Sequence, residues 1–186
     1  MQNWIDTDRL RLRPFTADDL RCAFHWFGDP EVMRYTLSGP DRSMEQTAER
    51  IASYQRHESK YGFSRWLVIE RASGQPIGDA GLRFMEEYGR VDLGYRLDQS
   101  HWGQGLATEA GIAWIQKAFG ELKLDRLVGI AHPDNCASTK VLRKLGFLEE
   151  GRDVIMGMSC IVFCLTSETV RSQTIDASRP RTLYSL

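Results

Sequence analysis

The stretch "SHWGQGLATEAG", residues 100–111, places two glycines, Gly103 and Gly105, directly before a segment that is typical of a helix. The stretch "RVDLGYRLD", residues 90–98, precedes it and alternates as a β-strand does. The first amides of a helix have no partner within it, and the helix dipole favours anions there. Glycine also lets another group approach the backbone closely. This junction is therefore a candidate phosphate site, and a plain tight turn is the alternative.

Two other phosphate-binding motifs do not fit this stretch. A Rossmann fingerprint needs a third glycine or alanine where this chain has Thr108, and a Walker loop needs a Gly-Lys-Ser/Thr sequence that this chain lacks. Gly94, inside the preceding strand, predicts a β-bulge or the close approach of another group. The segment over about 104–119 is apolar nearly all round, which predicts a buried helix whose N-terminus faces a ligand cleft.

Length and composition limit the class of protein. The chain has 186 residues, and we expect one domain over 1–168 and a flexible tail over 169–186, where apolar periodicity is lost. A formal net charge of −1 argues against partners such as nucleic acid or an anionic membrane. No apolar run approaches the roughly 20 residues that span a bilayer. The four cysteines include no C-x-x-C pair, which predicts no metal site, reduced thiols and a cytoplasmic location.

The order of elements predicts the fold class. Strand patterns in "DRLRLRPF", "SRWLVIER" and "PIGDAGLRFM" come early, and helices begin after Thr16 and near Met44. Strands then alternate with helices, and "FLEEG" with "MSCIVFCLT" forms a closing strand pair. This mixture predicts an α/β protein with one mixed sheet and helices on both faces.

Several of these stretches resemble a known family. "LGYRLDQSHWGQGLATEAG", residues 93–111, resembles the acetyl-CoA pyrophosphate motif of the GNAT superfamily of N-acetyltransferases. "NCASTKVLRKLGF", residues 135–147, resembles the second cofactor motif of that family. "TDRLRLRPFTADDL" and "QPIGDAGL" are similar to its ribosomal-protein-alanine N-terminal acetyltransferase branch. The resemblance covers about residues 5–168.

The resemblance implies a fold and a cofactor site. The sheet would be mixed and largely antiparallel, with its fourth and fifth strands splayed apart and helices on both faces. The pantetheine arm of acetyl-CoA would pair with Tyr95, Arg96 and Leu97 as an added strand. Asn135 would contact the pantetheine or the thioester. The pyrophosphate would lie on the backbone amides of the glycine turn, namely those of Trp102, Gly103, Gln104, Gly105, Leu106, Ala107 and Thr108.

Two departures from the family pattern bear on the chemistry. The family motif often begins with Arg or Gln three residues before the first glycine, where this chain has Ser100, with Gln99 one place off. Many members have a proton-donating Tyr seven residues after the Asn, where this chain has Leu142. Ser138, three residues after Asn135, fits an alternative donor and is our candidate general acid. The alternative for Ser138 is a serine in the first helical turn with no catalytic role, and the alternative for Asn135 is a helix N-cap.

The remaining candidates concern the acceptor. Asp92, on the strand that would hold the thioester, is the candidate general base, and a solvated surface carboxylate is its alternative. Four aromatic residues are candidates for the lining of an acceptor pocket, with core positions as the alternative, and these are Trp26, Tyr35, Trp66 and Trp102. The predicted activity is acetyl transfer from acetyl-CoA to a primary amine by a monomer or homodimer. A degenerate acyl-CoA-binding sensor without turnover and a different nucleotide-binding enzyme, such as a reductase, stay open as alternatives.

Overall fold

A computed structural model describes residues 3–175, and its eight strands form one sheet. The strands are β1 (Ile5–Asp6), β2 (Leu10–Arg13), β3 (Arg65–Glu70), β4 (Pro76–Met85), β5 (Arg90–Leu97), β6 (Arg126–Ala131), β7 (Leu148–Ile155) and β8 (Met158–Thr166). Their order across the sheet is β1-β2-β3-β4-β5-β6-β8-β7. Neighbouring strands are antiparallel except β5 and β6, which are parallel. The prediction of a mixed, largely antiparallel sheet is confirmed.

Helices cover both faces of this sheet. They are α1 (Leu20–Phe27), α2 (Met44–Tyr61), α3 (Leu106–Gln116), α4 (Cys136–Lys144) and α5 (Ser167–Ile175). Side chains alternate between the two faces of a strand. Leu67 packs in the buried cluster with α1 and α2, whereas its neighbour Val68 packs in the larger cluster with α3 and α4. The predicted arrangement, with helices on both faces, is therefore confirmed.

The helix boundaries follow from local signals that the sequence carries. A capping box between Thr16 and Asp19 precedes α1, through one turn of 3-10 helix. Ser43 caps α2 by accepting from the amide of Gln46. Gly62 ends α2 with a φ of 76°, a left-handed conformation that glycine adopts without steric cost. The predicted starts of both helices are confirmed.

The sheet opens between β5 and β6. These strands are joined at one residue pair, Asp92 opposite Val128, and they diverge beyond it. This opening is the splay that was predicted between the fourth and fifth strands. The numbers differ by one because the structure has an additional two-residue strand, β1, before the first predicted strand. Helix α3 follows β5 and α4 follows β6, so the N-termini of both helices lie at the open end. This end of the sheet is where the candidate site is built.

Two local predictions are corrected by the structure. The pairing of β4 with β5 runs through Gly94 with no register shift, so the predicted bulge is wrong. The close approach at Gly94 is made by Arg65, because a Cβ on this glycine would overlap the Arg65 guanidinium. The helix predicted over about 104–119 begins at Leu106 and passes after Gln116 into a π-helical turn, Lys117–Glu121.

The ordered domain continues past the predicted end at residue 168. Helix α5 crosses that position, and its Val170, 3% exposed, packs in the main core. One buried apolar residue gives no periodicity, and this explains why the sequence did not reveal the helix. The rest of the predicted tail, 176–186, lies outside the described residues. Over residues 3–175, no helix has both the length and the apolar character needed to cross a membrane.

Candidate active site

The glycine turn lies between β5 and α3 at the open end of the sheet. Gly103 has a φ of 73° and Gly105 a φ of 79°, both in the left-handed region. The first bond of the helical ladder runs from the amide of Glu109 to the carbonyl of Gly105, over 3.0 Å. The three preceding amides, those of Leu106, Ala107 and Thr108, therefore have no acceptor within the helix. These amides and the helix dipole suit a phosphate group.

The space in front of this turn is open. A Cβ on Gly103 would meet nothing within 4 Å, and a Cβ on Gly105 would meet only Nη2 of Arg9, at 3.7 Å. Protein packing therefore does not account for the two glycines, but the positive φ values do. The open space leaves room for a ligand beside the helix N-terminus, which fits the pyrophosphate of acetyl-CoA.

We expect Gly105→Ala to weaken acetyl-CoA binding at least about tenfold, or about 1.4 kcal/mol. The left-handed conformation costs an L-residue roughly 1–2 kcal/mol, so the turn relaxes away from the geometry that aims its amides. The added methyl group also lies in the open space. Isothermal titration calorimetry with acetyl-CoA measures the change.

Gly62→Ala is the matched control for this variant. Gly62 has a φ of 76° and open space around it, so it carries the same backbone strain at the end of α2, away from the turn. Both variants should lose similar thermal stability, and Gly105→Ala alone should lose affinity. Unchanged affinity in a folded Gly105→Ala protein would contradict a phosphate site at this turn.

Side chains of the turn brace it from within. The indole N–H of Trp102 donates to the carbonyl of Leu97 over 2.7 Å, and the Gln104 side-chain amide donates to the carbonyl of Ser100 over 3.0 Å. The Leu97 carbonyl, at the end of the segment predicted to pair with pantetheine, is thus already bonded. Trp102 remains 48% exposed, so the outer surface of its ring is accessible to a ligand.

The predicted pantetheine segment sends its side chains to opposite faces. The Tyr95 phenol lies 3.1 Å from the carbonyl of Ser138 and 3.2 Å from its hydroxyl, which links β5 to the first turn of α4. The Arg96 side chain points to the other face, where it pairs with buried Asp79 and donates to the Tyr54 hydroxyl. Only the backbone of Arg96 is therefore placed to contact a ligand in the opening.

The start of α4 combines a helix cap with a hydroxyl pair. The side-chain oxygen of Asn135 accepts from the amide of Ser138 over 3.0 Å, so Asn135 caps the helix and its side-chain NH2 group remains as a donor. Burial raises the pKa of the Tyr95 phenol, which therefore stays protonated beside Ser138. Leu142 is 1% exposed and occupies the space above Gly129, so this position serves packing.

Asp92 lies where β5 and β6 part, in an ion pair with Arg65. The Arg65 Nη2 and Asp92 Oδ2 atoms are 2.5 Å apart, and the two side chains are 10% and 14% exposed. Burial raises the pKa of Asp92, and the facing Arg65 guanidinium opposes that rise. Asp92 is therefore not a solvated surface carboxylate. A raised pKa brings a carboxylate closer to the range in which a general base is effective.

The predicted acceptor aromatics separate into core and site. Trp26 and Trp66 are 1% and 2% exposed and belong to the core. Tyr35, in the connection between α1 and α2, stacks on His132 with ring centroids 5.2 Å apart. His132 directly follows β6, so this pair lies at the open end of the sheet. In the described part of the chain, no group of three or more His, Cys, Asp and Glu side chains could hold a metal ion.

Comparison with known proteins identifies the family. The model of the acetyltransferase (GNAT) domain matches residues 9–148. The uncharacterized N-acetyltransferase p20 of Bacillus licheniformis is 32% identical over 146 residues, which cover 78% of this chain and 82% of that protein. Spermidine N(1)-acetyltransferase of Escherichia coli K12 is 28% identical over 143 residues, covering 76% and 74%.

A solved structure shares the fold. RimL, a ribosomal L7/L12 alpha-N-protein acetyltransferase in complex with coenzyme A, has a TM-score of 0.74 at 18% identity, covering 89% of this chain and 99% of that one. The splayed strands, the glycine turn and α4 described above lie within the matched residues 9–148. The chain belongs to the GNAT family of N-acetyltransferases.

Proposed function

We propose that this enzyme transfers the acetyl group of acetyl-CoA to a primary amine by direct attack in a ternary complex. The observation that carries the proposal is the opening between β5 and β6. It has the amides of the glycine turn at its outer end, Ser138 on one side and Asp92 where the strands part. We further propose that the protein acts in the cytoplasm as a monomer or homodimer.

Acetyl-CoA supplies the acetyl thioester, and residues of this chain would hold it in three places. The amides from Gly103 to Thr108 would bind the pyrophosphate, whereas the Trp102 amide already donates to the carbonyl of Gln99 over 3.1 Å. The backbone of Tyr95 and Arg96 would pair with the pantetheine arm, and the Asn135 side-chain amide would donate to it. This assignment is supported by the open space at Gly105 and by the single residue pair that joins β5 to β6.

The chain's own residues handle two protons in the proposed reaction. Asp92 accepts one proton from the acceptor ammonium, directly or through a water molecule. Ser138 donates its hydroxyl proton to the departing thiolate and takes in its place the second proton that the attacking nitrogen loses. At pH 7, deprotonating a lysine-like amine costs roughly 4.6 kcal/mol, whereas an α-amino group costs only about 1 kcal/mol. The base therefore matters more for a side-chain or polyamine acceptor than for a protein N-terminus.

An acceptor screen tests the proposal as a whole. The purified protein is incubated with acetyl-CoA and a panel of peptides, amino acids, polyamines and amine antibiotics, and release of free thiol is followed. We expect steady thiol release with at least one amine. Acetyl-CoA binding without turnover across a broad panel would favour the sensor module, and binding of a nicotinamide cofactor instead would favour a reductase.

Asp92→Asn tests the proposed base through its pH dependence. We expect kcat/KM to fall most near pH 6, and the defect to shrink by up to about tenfold per pH unit as the free amine becomes abundant. The sign follows because the variant can use only acceptor that is already neutral. The ratio of wild-type to variant kcat/KM from pH 6 to 9, for one peptide and one side-chain amine, measures the effect.

Asp79→Asn is the matched control for the base. Asp79 is a buried aspartate that pairs with Arg96 on the same face of the sheet, as Asp92 pairs with Arg65. Its loss should lower thermal stability with no pH-dependent change in kcat/KM. If the ratio of wild-type to Asp92→Asn kcat/KM is also independent of pH, Asp92 is not the base and has only a structural role.

A further inference from the structure

The glycine turn lacks a cation where the family motif often has one. Ser100 holds that position, and its hydroxyl lies within hydrogen-bond distance of both the Asp98 carboxylate and the His101 ring. The neighbouring Gln99 side chain donates to the Asp29 carboxylate over 2.7 Å. These contacts engage the polar groups of both residues, so a pyrophosphate on this turn would need its cationic partner from elsewhere in the chain.

Arg9 reaches the turn from the start of the chain. Its Nη1 donates to the carbonyl of Gln104 over 3.0 Å, and its Nη2 lies 3.7 Å from the position that a Cβ on Gly105 would take. Its Nε pairs with Oε2 of Glu109, in the first turn of α3, over 2.6 Å. The guanidinium therefore borders the same open space that the helix amides border.

Arg9 keeps donors free for a ligand. A guanidinium has five N–H donors, and the bonds to Gln104 and Glu109 use two of them, which leaves three without a partner among residues 3–175. The Arg9 side chain is 50% exposed, whereas that of Glu109 is 17% exposed. The fork geometry of a guanidinium suits two phosphate oxygens at once.

Glu109 holds the Arg9 guanidinium in place and occupies only one of its N–H donors. Its carboxylate also accepts from the Thr7 hydroxyl over 2.6 Å and from the Arg9 amide over 2.8 Å. Burial alone would raise the pKa of Glu109, but these hydrogen bonds and the Arg9 charge lower it overall, so the carboxylate stays ionised. The guanidinium is thereby held in one orientation with its outer edge toward solvent, which reduces the ordering cost of binding a ligand.

We propose that Arg9 binds the pyrophosphate of acetyl-CoA and supplies the cation that the turn itself lacks. The proposal rests on the proposed function, because it assumes that the turn receives the pyrophosphate. It goes beyond the motif, since Arg9 lies outside the glycine turn and is joined to it only by the fold. We assign Arg9 to the pyrophosphate rather than to the 3′-phosphate because its guanidinium contacts Gln104 and Glu109. These residues lie before and after Gly105, in the turn that would receive the pyrophosphate.

Calorimetry with three ligands tests this assignment, using wild type and Arg9→Gln. The ligands are acetyl-CoA, acetyl-dephospho-CoA, which lacks the 3′-phosphate, and S-acetylpantetheine, which lacks the pyrophosphate together with the adenosine and its 3′-phosphate. The last is titrated at millimolar concentration. Because hydrogen bonds to charged groups contribute strongly to binding, we expect Arg9→Gln to lower the affinity for the first two ligands by about ten- to a hundredfold. We expect no change for S-acetylpantetheine.

Two further variants separate binding from support of the fold. Glu109→Gln removes the anion but keeps an acceptor for Arg9, so it should lower thermal stability and retain most of the affinity. Arg71→Gln removes the same charge from the same region, where Arg71 donates to the carbonyls of Thr7 and Asp8, and it should change affinity less than about twofold.

The outcomes distinguish the two proposals. A wild-type protein that does not bind acetyl-CoA would overturn the proposed function. Wild-type binding with equal losses in Arg9→Gln and Glu109→Gln, for all three ligands, would make Arg9 a structural residue. A loss in Arg9→Gln that disappears with acetyl-dephospho-CoA would assign Arg9 to the 3′-phosphate and overturn the pyrophosphate contact.

Discussion

Ser138→Ala is expected to lower turnover by about ten- to a thousandfold while leaving the affinity for acetyl-CoA close to that of wild type. The reason is that the Ser138 hydroxyl is the proposed proton donor to the departing thiolate, whose protonation occurs only in the reaction. Alanine keeps the helix cap, because Asn135 accepts from the backbone amide at position 138. Steady-state thiol release gives the turnover, and calorimetry gives the affinity.

Tyr95→Phe supplies the control for this result. The Tyr95 phenol lies 3.2 Å from the Ser138 hydroxyl, and burial raises its pKa, so the phenol stays protonated and can hold the Ser138 hydroxyl in place by a hydrogen bond. As a positioning residue it should act through Ser138, so its defect in turnover should vanish in the Ser138→Ala background. Additive losses in the double variant would show that Tyr95 acts independently of Ser138 and would contradict the proposed pair.

The parts of the site that local sequence determines were predictable. The turn with Gly103 and Gly105 follows an alternating strand and precedes an apolar helix, so all of its signals lie within about twenty residues of chain. The structure confirms the helix and the splayed strands. Position 94 shows the limit of such signals, because a glycine inside a strand does not indicate what approaches it.

The contacts that complete the site were not predictable, because strand register decides them. Arg65 reaches Asp92 across 27 residues of chain only because β4 lies between their strands and Gly94 leaves room for the guanidinium. Arg9 and Glu109 are 100 residues apart. No periodicity or spacing marks these partners, and they could have been inferred only from the full arrangement of strands. The same holds for Tyr95 and Ser138, 43 residues apart.

Arg65→Met is expected to lower the free energy of unfolding by about 3–5 kcal/mol at pH 7, because it leaves the Asp92 carboxylate buried without its partner. Burial already raises the pKa of Asp92, and the variant removes the guanidinium that opposes the rise. When the pKa of a carboxyl group is higher in the folded protein than in the unfolded chain, the free energy of unfolding falls as pH increases above the unfolded pKa, near 3.9. The deficit should therefore grow between pH 4 and pH 7, as urea unfolding at several pH values would measure.

The double variant Arg65→Met/Asp92→Asn decides whether an unpaired charge is the cause. Replacing both partners of a buried ion pair is often close to neutral, whereas removing one is costly. We therefore expect the double variant to regain most of the stability that Arg65→Met loses, and to show no pH-dependent deficit over that range. A double variant as unstable as Arg65→Met would assign the loss to the packing of the Arg65 side chain over Gly94. Restored stability without restored turnover would separate the structural role of the pair from the catalytic role proposed for Asp92.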